Sequence, residues 1–128
     1  MEPFSKVALD TNILLYSVEK RFDILNELRT NFGVSEIVVP QSVVNEIRKI
    51  LKKSGNGKLA RKAALAEKII EIGGVKIVKL SKNADNDLKK LSKRGFAIAT
   101  HDRELKKLIK NYGGKVIYLG SKKNLEVI

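Results

Sequence analysis

Lys6-Val7-Ala8-Leu9-Asp10-Thr11-Asn12 is the stretch whose reading decides the fold. Val7, Ala8 and Leu9 form an apolar run too short for a helix, and it drives straight into an acid, a hydroxyl and an amide. Such a run reads as a buried strand, and polar side chains at its exit fall where a parallel sheet keeps its ligands, at the carboxyl ends of its strands. Asp10 is therefore the first candidate site residue. The plainer reading is that Asp10 or Thr11 caps the helix over 13–20, and capping and chemistry are compatible.

Outward from this strand, helical and extended patterns alternate. Ile13, Leu14, Leu15 and Val18, then Phe22, Ile24, Leu25 and Leu28, keep helical spacing, with Asp23 at a break or cap between two helices and with Tyr16 and Phe22 read as core. Residues 36–40, Glu-Ile-Val-Val-Pro, are β-branched and close on a proline, which a strand tolerates at its end. A helix opening at Gln41-Ser42 repeats Val43, Val44, Ile47, Ile50 and Leu51 at three and four residues, and Glu46 lies beside that face, one turn in from the sheet edge. Taken alone, a glutamate among Arg48, Lys49, Lys52 and Lys53 reads as a solvated helix residue. Residues 54–57 break the helix, 58–72 resume one, Gly73-Gly74 stops it, and 75–80 alternate as a third strand.

Asn83-Ala84-Asp85-Asn86-Asp87 opens the next helix, which stops at Gly95. Asp85 precedes Leu88 by three residues and is assigned to the same face. Asp87, placed about 160° away from the packing side of Leu91, is expected toward solvent and is kept in reserve as a substitute for Asp85. Phe96-Ala97-Ile98-Ala99 is a fourth, fully apolar strand, and its exit, Thr100-His101-Asp102, repeats the order of the opening stretch: strand, hydroxyl, acid, helix. Asp102 joins the candidates. The single histidine, His101, has no second histidine or cysteine with which to build a zinc site and is read as a surface residue. A helix over 104–111 and a strand over 116–119 follow, and the tail 121–128 carries little signal.

The 128 residues suit one domain spanning 1–128, and the absence of cysteine excludes disulfides, thiolate metal ligation and a cysteine nucleophile. Without an apolar run of membrane-spanning length or a signal-peptide layout, the expectation is a soluble cytoplasmic protein. No P-loop or dinucleotide glycine pattern is present. Lys plus Arg is 26 against 14 Asp plus Glu, a net charge of +12, which points to a polyanionic partner, RNA or DNA. A lysine-rich thermophilic composition would also raise the base count, but would raise acids with it. Residues 48–62 hold seven bases and no acid. Arg48, Lys49, Lys53, Lys58, Arg61 and, beyond them, Arg103 are the candidates for backbone contact.

Alternating strands and helices imply a three-layer α/β/α fold with a mostly parallel sheet and right-handed crossovers. In that sheet Asp10 and Asp102 leave at one edge, and Glu46 and Asp85 are within reach of it. Four carboxylates in one cleft repel one another unless a cation sits among them. Mg²⁺ or Mn²⁺ suits an all-oxygen site, and would activate water and stabilise the charge of a phosphodiester under in-line attack.

The succession Leu9-Asp-Thr-Asn12, Val43-Val-Asn-Glu-Ile47, Ala84-Asp-Asn-Asp-Leu88 and Ala99-Thr-His-Asp-Arg-Glu-Leu105 resembles the PIN domain, a family of metal-dependent ribonucleases that includes VapC-type toxins and ribosomal RNA processing enzymes. The resemblance spans essentially the whole chain. It implies a five-stranded parallel sheet, frequent homodimers, and catalytic, metal-binding acids at Asp10, Glu46, Asp85 and Asp102, with Asn12 and Thr100 as polar supports. It also implies an endoribonuclease acting in ribosomal RNA processing beside an assembly partner, or alternatively a VapC-type toxin held by an antitoxin. A catalytically idle RNA-binding scaffold is the alternative from a different class. Two departures stand out: relatives often carry an acid pair where this chain has Asp85-Asn86, and His101 stands where a small polar residue is common.

Overall fold

Strand and helix periods sort the apolar residues of this chain onto the two faces of one sheet. The structure, a computed structural model, describes residues 4–128, so the Met1–Pro3 part of the N-terminal reading lies outside it. Among the described residues the elements run β1 (Lys6–Leu9), α1 (Thr11–Glu19), α2 (Ile24–Asn31), β2 (Glu36–Pro40), α3 (Gln41–Ser54), α4 (Lys58–Ile72), β3 (Lys76–Val78), α5 (Ala84–Lys93), β4 (Ala97–Ala99), α6 (Arg103–Asn111), β5 (Val116–Leu119) and β6 (Leu125–Val127). Val7, Leu9, Ile37, Val39, Ala97, Ala99, Ile117 and Leu119 point one way, into a core with α1 to α4. The intervening Ala8, Val38, Ile98 and Val116 point the other way, against Leu88 and Leu91 of α5 and Leu105 and Ile109 of α6. This two-residue alternation builds the expected three layers. Each fully buried Leu, Ile or Val contributes about 1.5–3 kcal/mol.

The sheet order is β3-β2-β1-β4-β5-β6. All neighbours are parallel except β5 and β6, which pair antiparallel with Leu119 opposite Leu125. Six strands replace the expected five. The extra one is three residues long and contributes one buried side chain, Leu125, too little for a periodicity to register; the open edge of β5 orders it. At the opposite edge, β3 shrinks to three residues and its Lys76 and Ile77 are exposed.

The order places β1 and β4 side by side, with Leu9 in register with Ala99. From β1 the chain first builds outward through β2 and β3, then returns to add β4 on the other side. Diverging connections at such a switch point open a crevice beyond the carboxyl ends of the two central strands. Among the described residues no helix is long and apolar enough to cross a membrane.

Candidate active site

The crevice rim is made by the exits of β1 and β4, and hydrogen bonds stitch them together. The Asp10 N–H donates to the Ala99 carbonyl at 2.9 Å, extending the ladder one residue beyond the strands. The Asp10 side chain is 6% exposed. Its Oδ1 accepts from the Thr11 N–H at 2.7 Å, and its Oδ2 accepts from the Thr100 hydroxyl at 2.7 Å. Asp10 is thus also the N-cap of α1, which is why that helix starts at Thr11, earlier than its apolar pattern predicts. Asn12 reaches across the same gap: its Oδ1 accepts from the His101 N–H at 3.1 Å. Thr100 in turn accepts from the Asp102 N–H at 3.1 Å. These bonds tie the exits of β1 and β4 to each other through side chains as well as backbone.

Glu46, exposed and one turn into α3, is tied to the rim by the Thr11 hydroxyl, which donates to its Oε1 at 2.6 Å. Asp85 is exposed in the first turn of α5, whose N-cap is Asn83. Burial pushes the Asp10 carboxyl up from 3.8 to about 6; the Thr100 and Thr11 bonds work against this, and the charges of Glu46 and Asp85 add to the rise. These three acids share one field. Asp102 stands at the same rim, but its Oδ1 accepts from the Glu104 and Leu105 N–H groups at 2.9 and 3.1 Å, capping α6. Its Oδ2 takes no hydrogen bond among the described residues. Among those residues no three His, Cys, Asp or Glu side chains stand close enough together to enclose a metal ion by themselves.

Asp87 overturns its assignment to solvent: it is 0% exposed. The buried stripe of α5 runs through Ala84, Asp87, Leu88 and Leu91, because residues three and four apart share a face, and Asp85 is the one left outside. The buried carboxylate is fully engaged, accepting from the Ser42 hydroxyl at 2.6 Å, the Ser81 N–H at 2.9 Å and the Ser81 hydroxyl at 2.5 Å. His101 is likewise no surface residue. It is half-buried, lies edge-on to Tyr16, and its Nε2 meets both backbone groups of Leu119, the N–H at 3.1 Å and the carbonyl at 3.2 Å, prolonging the β4–β5 pairing by a side chain. Burial holds its imidazole below the ordinary value, against the Leu119 bond. The pairings Thr11 with Glu46 and Ser42 with Asp87 span 35 and 45 residues, and no local pattern carries them.

Of the basic candidates, Arg48 is paired with Glu67 of α4 at 3.1 Å, while Lys49, Lys53, Lys58, Arg61 and Arg103 are exposed and form no ion pair among the described residues. Away from the rim, a cavity of about 630 Å³ lies between α1, α2 and α4, lined by Phe22, Leu25, Leu65 and Ile72 among others. Leu65 and Ile72 are 55% and 74% exposed beside it.

Comparison with known proteins agrees with this architecture. Residues 7–122 match a family described as a PIN-like domain. Ribonuclease VapC9 of Archaeoglobus fulgidus is 33% identical over 120 residues, 93% of this chain and 86% of that protein. Among solved structures, the PIN domain endonuclease Utp24 superposes with a TM-score of 0.77 at 19% identity, covering 95% of this chain and 90% of that one. A domain of a functionally unknown protein from Methanocaldococcus jannaschii superposes with a TM-score of 0.59, also at 19% identity, over 97% and 98% of the two chains.

Proposed function

The chain belongs to the PIN-like domain family, and on that premise we propose that it is an endoribonuclease, dependent on Mg²⁺ or Mn²⁺, that hydrolyses RNA phosphodiester bonds. The observation that carries this reading is the placing of the Asp10 carboxyl, buried at a sheet switch point, with Glu46 tied to the same rim by Thr11 and with Asp85 near enough to act on its charge. A fold gains nothing from such an arrangement without a cation to relieve it. All the donors are hard oxygens. Mg²⁺ keeps several waters and binds through one or two carboxylates together with substrate phosphates, so separated acids on a rim suit it without a closed cage.

In this reading Asp10, Glu46, Asp85 and the free oxygen of Asp102 surround the ion, one or two of them binding it directly and the others through its waters. When bound, the ion supplies positive charge against the negative charge that develops on the phosphodiester as water attacks. Thr100 and the Thr11 N–H fix both oxygens of Asp10, and the Thr11 hydroxyl fixes Glu46, so the carboxylates need little reorganisation. Asn12 acts on the rim by bracing the β4 exit. Lys49, Lys53, Lys58, Arg61 and Arg103 contact the RNA backbone, with Arg48 joining them when it leaves Glu67. The whole of residues 1–128 works as one nuclease domain in the cytoplasm.

The test is cleavage of end-labelled RNA. Products ending in 3′-hydroxyl are expected with Mn²⁺, lost on chelation and reduced at least about a hundredfold in Asp10→Asn. Activity that survives chelation sinks the metal mechanism, and tight RNA binding without turnover in either metal favours the scaffold alternative. As to cellular role, identity with a VapC ribonuclease and the exposed apolar groove beside α4 favour a toxin held by an antitoxin-like partner. The motif resemblance, through the 84–88 and 101–105 segments and the lysine-rich middle, keeps ribosomal RNA processing as the second reading. Co-purification of a small protein that silences cleavage separates the two.

A further inference from the structure

From the buried contact between α3 and α5 we infer that Asp87 is a positioning residue, setting the spacing between the two helices that carry Glu46 and Asp85. This rests on the metal-dependent reading above. Helix α3 begins after Pro40, which has no side-chain hydrogen bond to offer its first turn. The turn is held instead from outside: Ser42, buried in it, donates to Asp87 at 2.6 Å, so a carboxylate from α5 lies against the N-terminal turn of α3, where negative charge is favoured. The other oxygen of Asp87 accepts twice from Ser81, which fixes the loop between β3 and α5.

Position along each helix gives this bond its reach. Ser42 and Glu46 are four residues apart, on one strip of α3, and Asp87 is two residues beyond Asp85 in the first turn of α5. One buried bond therefore sits within a turn of two acids that come from elements 39 residues apart in sequence, Glu46 and Asp85. Asp87 itself has no exposed surface and every oxygen engaged, so it stays out of the ion's reach. Groups hydrogen-bonded directly to metal ligands commonly change metal affinity by about 10- to 100-fold when removed, and Asp87, acting one step further back through helix spacing, belongs at the low end.

The experiment compares wild type, Ser42→Ala, Asp87→Asn and, as a core control of similar burial on α5, Leu91→Ala. The first readout needs no RNA: the Mn²⁺ concentration giving half of the maximal rise in Tm. The second is the split between kcat and KM on a labelled RNA. Ser42→Ala and Asp87→Asn are expected to need about tenfold more Mn²⁺ and to lose kcat with KM unchanged, whereas Leu91→Ala lowers Tm and leaves the Mn²⁺ midpoint alone. Should Asp87→Asn fail to fold, Ser42→Ala decides, since it leaves the carboxylate and both Ser81 bonds in place. A Ser42→Ala midpoint equal to wild type overturns the inference and leaves the nuclease reading standing. A wild-type protein whose Tm ignores Mn²⁺ overturns the metal reading and this inference with it.

Discussion

Replacing Asp10 by Asn should stabilise the metal-free protein above pH 6 while removing its activity. The carboxyl has an ordinary value of 3.8 and is pushed up to about 6 in the fold, chiefly by burial. That displacement corresponds to about 3 kcal/mol between the charged and neutral forms. Between the two values the native state holds a proton that the unfolded chain has released. Native stability therefore falls as pH rises from about 4 to about 6, and the full cost is present at pH 8. Asn keeps the shape and an oxygen for the Thr11 N–H, but the charge-assisted bond from Thr100 is lost, which returns about 1 kcal/mol or more. The net expectation is a gain of about 1–2 kcal/mol at pH 8, or about 4–8 °C in Tm for a chain of this length. At pH 4 the gain should vanish or change sign. Calorimetry of both proteins in chelator at pH 4, 6 and 8 reads this directly. A variant no more stable than wild type at pH 8, or a difference that does not move with pH, would refute the electrostatic account of the crevice.

Three further outcomes follow from the same geometry. Thr100→Val removes the hydroxyl that holds Asp10 down, so the acid limb of the Mn²⁺-dependent pH–rate profile should move upward, a shift that a purely structural role for the hydroxyl would not produce. Because His101 lies below its ordinary 6.5 in the fold, the unfolded chain takes up its proton first and stability is lost as pH falls through that value. His101→Ala, which orphans the Leu119 N–H, should cost about 1–3 kcal/mol in urea unfolding at pH 7.5, and less at pH 5. A combined Lys49→Glu, Lys53→Glu and Lys58→Glu variant should raise KM with kcat retained. By fluorescence anisotropy it should flatten the dependence of RNA affinity on salt, by about 0.7 in log–log slope for each phosphate that is no longer neutralised.

What could be read from the residues alone was whatever local chemistry controls. The short apolar run before Asp10 and its echo before Thr100 set strands ending in acids, because hydrophobic period and the exit residues act within a few positions. Helix α4 and strand β5 fall at their expected ends, since glycines and polar clusters punctuate them. The acids Asp10, Glu46 and Asp85 were legible as candidates because each follows a strand, directly or within the first turns of the next helix.

Tertiary structure decided what each acid touches. Asp85 and Asp87 differ by two positions in one helix turn; the three- and four-residue spacing of Ala84, Leu88 and Leu91 puts Asp87 on the buried stripe, and only the tertiary structure shows that Ser42, 45 residues away, satisfies it there. Asp102 and Asp10 each follow a strand and each cap a helix with one oxygen, but the second oxygen of Asp10 is buried against Thr100 between two strand exits, whereas that of Asp102 takes no hydrogen bond among the described residues. His101 gained its role from the end of β5, and β6 formed only because that strand offered an open edge. Sequence by itself determined the elements and the chemistry available to them. Which carboxylates face one another, and which are engaged by hydroxyls and amides, followed only when the strand order put β1 against β4, because desolvation and hydrogen bonding depend on neighbours distant in the chain.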